Sequence, residues 1–212
     1  MGRDRRFRTT SYPVIKRAFD IAGSAVLLMA SAPVSLAAAV VIKAESPGPV
    51  IFVHKRVGLD GRSIRIYKFR SMRAGSEKTE AMLNDEELEQ FYLEYKLRDD
   101  PRITETGRLL RKTSMDELPQ LINVIQGRMS LIGPRPVTES ELSFYTEDER
   151  KKLLSVKPGL TGLWQVSDRE TFTYQSGLRQ KTELYYVDNA SCALDLRILL
   201  KTPAAVIRRS RG

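Results

Sequence analysis

The sequence has little of the residues that build disulfides, histidine metal sites and serine-histidine triads. Its 212 residues include one cysteine, Cys192, and one histidine, His54. A single cysteine excludes an internal disulfide and fits a reducing compartment, and we expect Cys192 to be a buried free thiol. A single histidine excludes a multi-histidine metal centre, and we expect His54 to be structural or solvated. The length suffices for one domain with a hydrophobic core.

Charge is absent from Ile21 to Ile42, a run of 22 residues. A straight helix of this length spans about 33 Å, enough to cross a bilayer core; a buried core helix is the soluble alternative. Lys and Arg flank both ends, and the positive-inside bias then keeps both flanks in the cytoplasm. Pro33 lies near the centre and should kink the helix, while Ser31 is available for the freed backbone groups. We therefore expect a re-entrant helix-break-helix, with a simple span as the competing topology.

Acidic residues are outnumbered, and the formal net charge is +9. Residues 1–20 have six Lys or Arg against two acids, whereas residues 74–100 have three against nine acids. A basic balance predicts an anionic partner: nucleic acid, anionic lipid or a phosphorylated small molecule. Residues 194–212 mix apolar and basic side chains, which favours an amphipathic helix on an anionic membrane surface over a soluble helix with a basic tail. We expect Pro203 to break this helix in two.

The rest of the pattern predicts a mainly α fold with a small β-hairpin. Strands are expected at 50–53 and 63–67 around a turn, and helices at 77–97, 106–112, 116–126 and 147–154. The expected plan has four parts: a basic segment at 1–20, a re-entrant membrane helix at 21–42, a compact cytoplasmic catalytic domain at 43–202 and a basic tail at 203–212.

Two adjacent carboxylates, Asp116 and Glu117, lie between basic residues on both sides. Ser114 and Glu117 match a capping box, which would make Glu117 structural, but Pro119 fits a helix better when Asp116 is the N-cap. In either register both carboxylates are at a helix N-terminus, where the dipole favours their ionised form and free N–H groups can bind phosphate. Acids in a first helical turn are also common without any function.

Basic residues elsewhere strengthen the functional interpretation of the carboxylate pair. Arg111 precedes the pair, Arg135 lies on a stiff Gly-Pro-Arg-Pro turn, and Lys68 and Arg70 follow the predicted hairpin. Each of these residues alone is typical of a solvated surface. The grouping predicts a phosphate-binding site next to Asp116 and Glu117.

Ordered motifs over residues 16–202 resemble the bacterial sugar transferase family, the monotopic phosphoglycosyl transferases. The matching segments are KRAFD, SPGPVIF, KFRSM, GRLLRKTSMDELPQL, MSLIGPRP, KPGLTGLWQV, ELYYVDNAS and LDLRILLKT. The chain departs from the family at three places. Ala32 precedes Pro33 where a serine is frequent, Arg128 replaces an acid, and Glu183 replaces an aspartate.

The resemblance implies an enzyme of the bacterial inner membrane, with its catalytic domain on the cytoplasmic face. Such enzymes transfer a phosphosugar from a UDP-sugar to polyprenol (undecaprenyl) phosphate and release UMP. Asp116 would be the nucleophile and would bind Mg²⁺ with the diphosphate, and Glu117 would assist it. Lys68, Arg111 and Arg135 match family residues placed to bind phosphate. The expected partners are both substrates and anionic membrane lipids, with no nucleic acid and a possible homo-oligomer.

Two other functions fit parts of the sequence. A membrane-tethered nucleic-acid-binding protein would explain the basic flanks, although no zinc-finger or RNA-recognition spacing is present. A structural anchor for a surface-polymer assembly complex would explain the membrane segment. Trp164 is either close to the sugar or nucleoside, or a core or membrane-interface residue.

Overall fold

The computed structural model describes residues 11–73, 75–76, 82–94, 97, 100–168 and 171–211. The fold is mainly α with a small hairpin, which confirms the predicted class. The helices are α1 (Tyr12–Glu45), α2 (Asp85–Glu94), α3 (Glu105–Lys112), α4 (Gln120–Ile125), α5 (Glu147–Leu153), α6 (Leu163–Val166), α7 (Leu178–Asn189) and α8 (Cys192–Arg211). The strands are β1 (Ile51–Val57), β2 (Ser63–Phe69), β3 (Ser130–Ile132) and β4 (Gly159–Thr161).

By length and composition, helix α1 is long and apolar enough to cross a membrane. Only 6% of its most apolar 18-residue stretch is buried. The helix is continuous, with Pro33 inside it, so the predicted break at Ser31 and Pro33 is not observed. Ser31 Oγ donates to the Leu28 carbonyl at 3.4 Å and not to the Met29 carbonyl that Pro33 leaves without its usual donor. The other turns supply enough helical hydrogen bonds to hold the proline within one helix.

Both ends of α1 pack on the same body of the protein. Near its start, Asp20 is buried and accepts hydrogen bonds from Ser130 Oγ (2.9 Å) and the Leu131 N–H (2.8 Å) of β3. Near its end, Ile42 is buried in a cluster with Phe69 and Leu110. Between these two contacts, most of α1 faces outward with exposed apolar side chains.

Strands β1 and β2 form an antiparallel hairpin in which Phe52 faces Lys68. The turn between them includes Asp60 and Gly61, both with positive φ, the conformation that Asp-Gly pairs adopt readily in hairpin turns. Asn123 of α4 is fully buried and ties the hairpin to the core. Its side-chain oxygen accepts the Tyr67 N–H at 2.9 Å, and its amide donates to the Arg65 carbonyl at 2.7 Å.

The main core lies where α1, the hairpin, α4 and the last helices meet. It is built from Ile64, Ile66, Leu121, Val124, Met129, Leu131, Ile132, Val166, Tyr186 and Ile198. Parallel strands β3 and β4 cross this core. A Cβ on Gly159 would lie 2.1 Å from the Gly133 nitrogen, so only glycine allows the two backbones this close. The chain therefore leaves β3 at Gly133 in a position fixed by β4.

Several predicted elements differ in extent. The predicted helix 116–126 is split into a 3₁₀ turn at Met115–Glu117 and α4, because Pro119 occupies the N-cap position of α4. Helix α8 continues through Pro203, so the predicted break is wrong there. Cys192 is exposed rather than buried. The predicted helix 77–97 is observed as α2, and residues 77–81 lie outside the described residues.

Candidate active site

The two carboxylates lie in the one-turn 3₁₀ helix before α4. Asp116 is buried, with 4% of its surface exposed. Glu117 Oε1 is 3.0 Å from Lys68 Nζ and 3.6 Å from Arg135 Nη1. Neither predicted helix register is correct, because Ser114 is left-handed with no side-chain cap and α4 begins a turn later. The charge of the site is therefore balanced by Lys68 and Arg135 rather than by a helix dipole.

Burial and the neighbouring carboxylates shift the pKa values of Lys68 and Arg135 in opposite directions. Burial lowers the pKa of Lys68, against the attraction of Glu117 and Asp116. Burial also disfavours the charged form of Arg135, but Glu117 and Glu141 outweigh it and raise the pKa of Arg135. Both cations thus depend on the carboxylates they face. A phosphate entering between them would meet two preformed positive groups in a partly desolvated setting.

The turn that presents Arg135 is fixed through its backbone. The Arg135 N–H donates to both carboxylate oxygens of Glu183, at 3.2 and 3.3 Å. The Pro134 carbonyl accepts the Gly159 N–H at 2.7 Å. The Arg135 guanidinium lies 5.9 Å from the Trp164 ring centre. Glu183 therefore supports the turn that presents Arg135, here called the arginine loop. Its position in α7 gave no reason to expect this role.

A second buried carboxylate, Glu141, organises the space behind the loop. It accepts from Arg56, from Arg179 (3.3 Å) and from the Tyr174 hydroxyl (3.2 Å). Burial alone would raise the pKa of Glu141, but Arg56 and Arg179 lower it to about 2. Burial and Glu141 raise the pKa of Tyr174, so its phenol stays protonated and donates. The only sequence signal for Glu141 was Thr138 three residues earlier, whose N–H and hydroxyl it binds.

Trp164 is part of this buried network. Arg179 lies between its ring and the ring of Tyr174, at 4.1 and 3.9 Å from the two ring centres. The Trp164 indole N–H donates to the Phe172 carbonyl at 2.7 Å, and the residue is 8% exposed. Of the two predicted positions for Trp164, the structure shows the core position.

Arg70 and Arg111 each bind a group outside the carboxylate pair. Strand β2 ends at Phe69, and Arg70 then turns to the end of α1, where it donates to the carbonyls of Ile42, Ser46 and Pro47. Arg111 Nε donates to Ser71 Oγ at 2.8 Å. The structure thus gives Arg70 a helix-capping contact, and it brings Lys68, Arg135, Asp116 and Glu117 together.

His54 lies on the same strand as Phe52 and Arg56. Burial and the adjacent Arg56 lower its pKa to about 3, so the imidazole is neutral at physiological pH. Its Nδ1 is 3.4 Å from the Arg56 guanidinium. This placement favours the structural role predicted for His54 over the solvated one.

The donor set at the dyad fits Mg²⁺ better than a transition metal. Among the described residues, no group of three or more His, Cys, Asp or Glu side chains is arranged to bind a metal. Asp116 supplies a buried carboxylate, whereas Glu117 is already paired with Lys68 and Arg135. Mg²⁺ is commonly bound by one or two carboxylates together with substrate phosphates. These residues therefore fit a Mg²⁺ that is completed by a bound diphosphate.

Comparisons with known proteins agree with the resemblance found in the sequence. The family model described as bacterial sugar transferase matches residues 11–209. The chain is 42% identical to the undecaprenyl-phosphate galactose phosphotransferase of Salmonella typhimurium over 92% of this chain and 41% of the relative. It is 42% identical to the exopolysaccharide production protein ExoY of Rhizobium meliloti over 93% of this chain and 87% of that protein.

The two relatives differ in how much of them this chain represents. The chain spans less than half of the Salmonella protein but most of ExoY. The segment shared with both includes the carboxylate pair, the Arg135 turn and most of α1. The predicted family is thereby confirmed: the chain belongs to the bacterial sugar transferase family.

Proposed function

We propose that the protein transfers a phosphosugar from a UDP-sugar to polyprenol phosphate. The observation that supports this most is the buried Asp116 beside Glu117, which is held by Lys68 and Arg135. A carboxylate next to two preformed cations suits attack on a phosphate whose negative charge must be balanced. Two relatives named for transfer to a lipid carrier, those of Salmonella typhimurium and Erwinia amylovora, support the same reaction.

The first step forms a covalent intermediate on Asp116. A carboxylate oxygen attacks the β-phosphorus of the UDP-sugar, and the bond between that phosphorus and the bridging oxygen breaks. UMP leaves with the bridging oxygen and its electron pair, and the phosphosugar remains as an acyl phosphate on Asp116. Lys68 and Arg135 bind the non-bridging oxygens, where charge accumulates. Mg²⁺ bound with the diphosphate would neutralise the leaving group.

The second step returns the enzyme to its starting state. An oxygen of polyprenol phosphate attacks the phosphorus of the intermediate, and the bond from Asp116 to phosphorus breaks. The product is a polyprenol diphosphate sugar, and the Asp116 carboxylate is free again. Glu117 positions the incoming groups through Lys68 and Arg135, which it binds together. The two substrates thus act in turn at one carboxylate.

We infer that the protein is on the cytoplasmic face of the bacterial inner membrane, with both ends of α1 on that face. Asp20 and Ile42 pack on one compact body, and in a spanning helix the bilayer would lie between that body and one of these two residues. The basic residues on both flanks favour the cytoplasmic side. A polyprenol phosphate in the same leaflet would then reach the dyad laterally.

Covalent trapping tests the reaction. Incubation with UDP-sugar and Mg²⁺ but no lipid acceptor is expected to release one UMP per enzyme and add a phosphosugar mass to a peptide with Asp116. Asp116→Asn is expected to lose both signals. Asp188→Asn, which alters an exposed carboxylate paired with Lys152, is the control and is expected to keep both. Full turnover by Asp116→Asn would contradict the mechanism.

The names of the relatives indicate which sugars to test first. Three relatives, those of Salmonella typhimurium, Erwinia amylovora and Streptococcus agalactiae, are named for galactose or galactosyl transfer, so a UMP-release panel starts with UDP-galactose and continues with the UDP forms of glucose and N-acetylated sugars. Family membership favours this function over the nucleic-acid-binding and anchor alternatives, and no contact in the described residues favours either of those.

A further inference from the structure

An open groove lies between the C-terminal end of α1 and the segment before β1. Its volume is about 660 Å³, and it is lined by Ala39, Val40, Lys43, Ala44 and residues 48–50. Among these lining residues, Lys43 has the one charged side chain, and its ammonium donates to the Gly48 carbonyl at 3.2 Å. The groove is thus an apolar surface with a cation beside it, at the end of the helix that enters the membrane.

The groove and the segment with the carboxylates pack against one buried cluster. Ala39 and Val50 pack against the buried cluster of Ile42, Phe69 and Leu110. Met115 and Leu118 pack against the same cluster. These two residues directly precede and follow Asp116 and Glu117 in the sequence, so the cluster connects the groove to the segment with the carboxylates.

An apolar path continues from the groove along β1. Strand β1 begins directly after the groove-lining Val50, and its first three side chains, Ile51, Phe52 and Val53, are all exposed apolar groups. Phe52 is 44% exposed although it is a large aromatic residue next to the site. Its cross-strand partner is Lys68, whose ammonium is 3.0 Å from Glu117. The exposed apolar surface therefore ends at a cation of the active site.

We propose that this groove and Phe52 bind the isoprenoid units nearest the phosphate of the lipid acceptor, with the acceptor phosphate directed to Lys68. The proposal rests on the function proposed above. A UDP-sugar is polar throughout and gains nothing from an apolar groove, whereas a polyprenol phosphate joins one apolar chain to one phosphate. A surface that is apolar along its length and cationic at its end matches that ligand. The position beside α1 allows the acceptor to enter from the membrane.

Two pairs of variants separate acceptor binding from the rest of the reaction. Phe52→Ala removes the exposed ring, and Val53→Ala is its control, since Val53 is similarly exposed on the other face of the same strand. Ala44→Phe fills the groove, and Val41→Phe adds similar bulk at an exposed position of α1 that does not line it. The first half-reaction, adduct formation on Asp116 without lipid, reports that each variant is folded and binds UDP-sugar.

We expect Phe52→Ala and Ala44→Phe to form the adduct at the rate of the unchanged enzyme and to raise the KM for polyprenol phosphate by about tenfold, a loss of one decade in acceptor affinity. The two controls should leave this KM unchanged. Normal adduct formation with an unchanged acceptor KM in both groove variants would overturn the groove assignment alone. Absence of the adduct and of UMP release from the unchanged enzyme would instead overturn the proposed function and the groove with it.

Discussion

At the scale of single residues, the site is a set of buried charges that neutralise one another. Glu117 faces Lys68 and Arg135, and Glu141 faces Arg56 and Arg179. Removing one member of such a pair leaves a desolvated charge behind, which costs more than the pair itself contributes. Conservative substitutions therefore report on these groups better than truncations do.

Arg135→Lys keeps the charge but loses the planar fork that can bind two phosphate oxygens. Loss of one charged hydrogen bond, worth about 1.5–3 kcal/mol, should lower kcat/KM for the UDP-sugar by about 10- to 100-fold in a UMP-release assay. Arg70→Lys is the matched control. Because Arg70 binds carbonyls at the end of α1, its substitution should lower thermal stability and leave the KM for UDP-sugar unchanged. The reverse pattern would assign the phosphate to Arg70.

The lowered pKa of Glu141 predicts that the protein loses stability in acid. Its pKa is lowered to about 2 by Arg56 and Arg179, after burial is overcome. A lowered folded-state pKa gives stability that is present above the unfolded-state pKa, near 4.5, and lost as the pH falls through the folded-state value. Of a total on the order of 3 kcal/mol, thermal unfolding of the detergent-solubilised protein should show a loss of about 2 kcal/mol between pH 7 and pH 3, and the rest is lost as the pH falls through about 2. Glu141→Gln should be less stable at pH 7 and show a flatter pH dependence. If Glu141→Gln left the pH dependence of stability unchanged, Glu141 would not be ionised in the folded protein.

Residues in short charged motifs were predictable, and isolated acids that the fold buries were not. Asp116, Glu117, Lys68 and Arg135 were identified because their charges cluster in short motifs. Glu141 and Glu183 were missed because a buried carboxylate looks like any surface acid until its partners, far away in sequence, are known. The contacts of Arg70 with the end of α1 were not predictable either, because alternation alone does not show that β2 ends at Phe69.

At the scale of elements, the prolines have different effects that depend on position. Pro33 and Pro203 lie inside continuous helices, whereas Pro119 marks the start of α4. The hairpin was predictable because Asp60 and Gly61 adopt positive φ with little cost. The helical interruptions were not, since neighbouring turns and tertiary contacts decide whether a proline ends a helix.

Helix α3 docks on the chain after β2 through a contact that only glycine permits. A Cβ on Gly107 would lie 2.0 Å from the Ser71 carbonyl oxygen, a backbone atom. Gly107→Ala should therefore destabilise the protein by about 1–3 kcal/mol, although alanine is the better helix former. Gly23→Ala is the comparison, because its nearest neighbour is the mobile end of Leu131 at 2.8 Å, and we expect a change within about 1 kcal/mol. Thermal unfolding measures both, and equal effects would contradict the docking geometry.

At the scale of the whole molecule, α1 is as much a part of the folded body as a membrane segment. Lys16 near its start binds Asp195 of α8 at 2.7 Å, and Arg70 binds its end. Arg17 donates to the carbonyls of Val124 and Ile125, which end α4. Contacts at both ends are difficult to reconcile with flanks on opposite sides of a bilayer.

Single-cysteine labelling checks this topology. In a Cys192→Ser background, which removes the exposed native thiol, Ser11→Cys and Arg62→Cys place one thiol on each side of α1 at exposed positions. Both should react with a membrane-impermeant maleimide only when the cytoplasmic face is accessible, as in inverted vesicles. Reaction of the Ser11 site from the outer face alone would show that α1 spans the membrane.

The hydrogen bonds from Asp20 have a consequence for how the protein is made and engineered. Asp20 belongs to α1, yet it holds the Ser130 hydroxyl and the Leu131 N–H of the strand that leads to Arg135. Deleting α1 to obtain a water-soluble catalytic fragment would strip partners from two buried groups and uncover Leu131. Helix α1 is thus a folding template for the strand that leads to Arg135, and that strand reaches its final contacts only when α1 is docked against it.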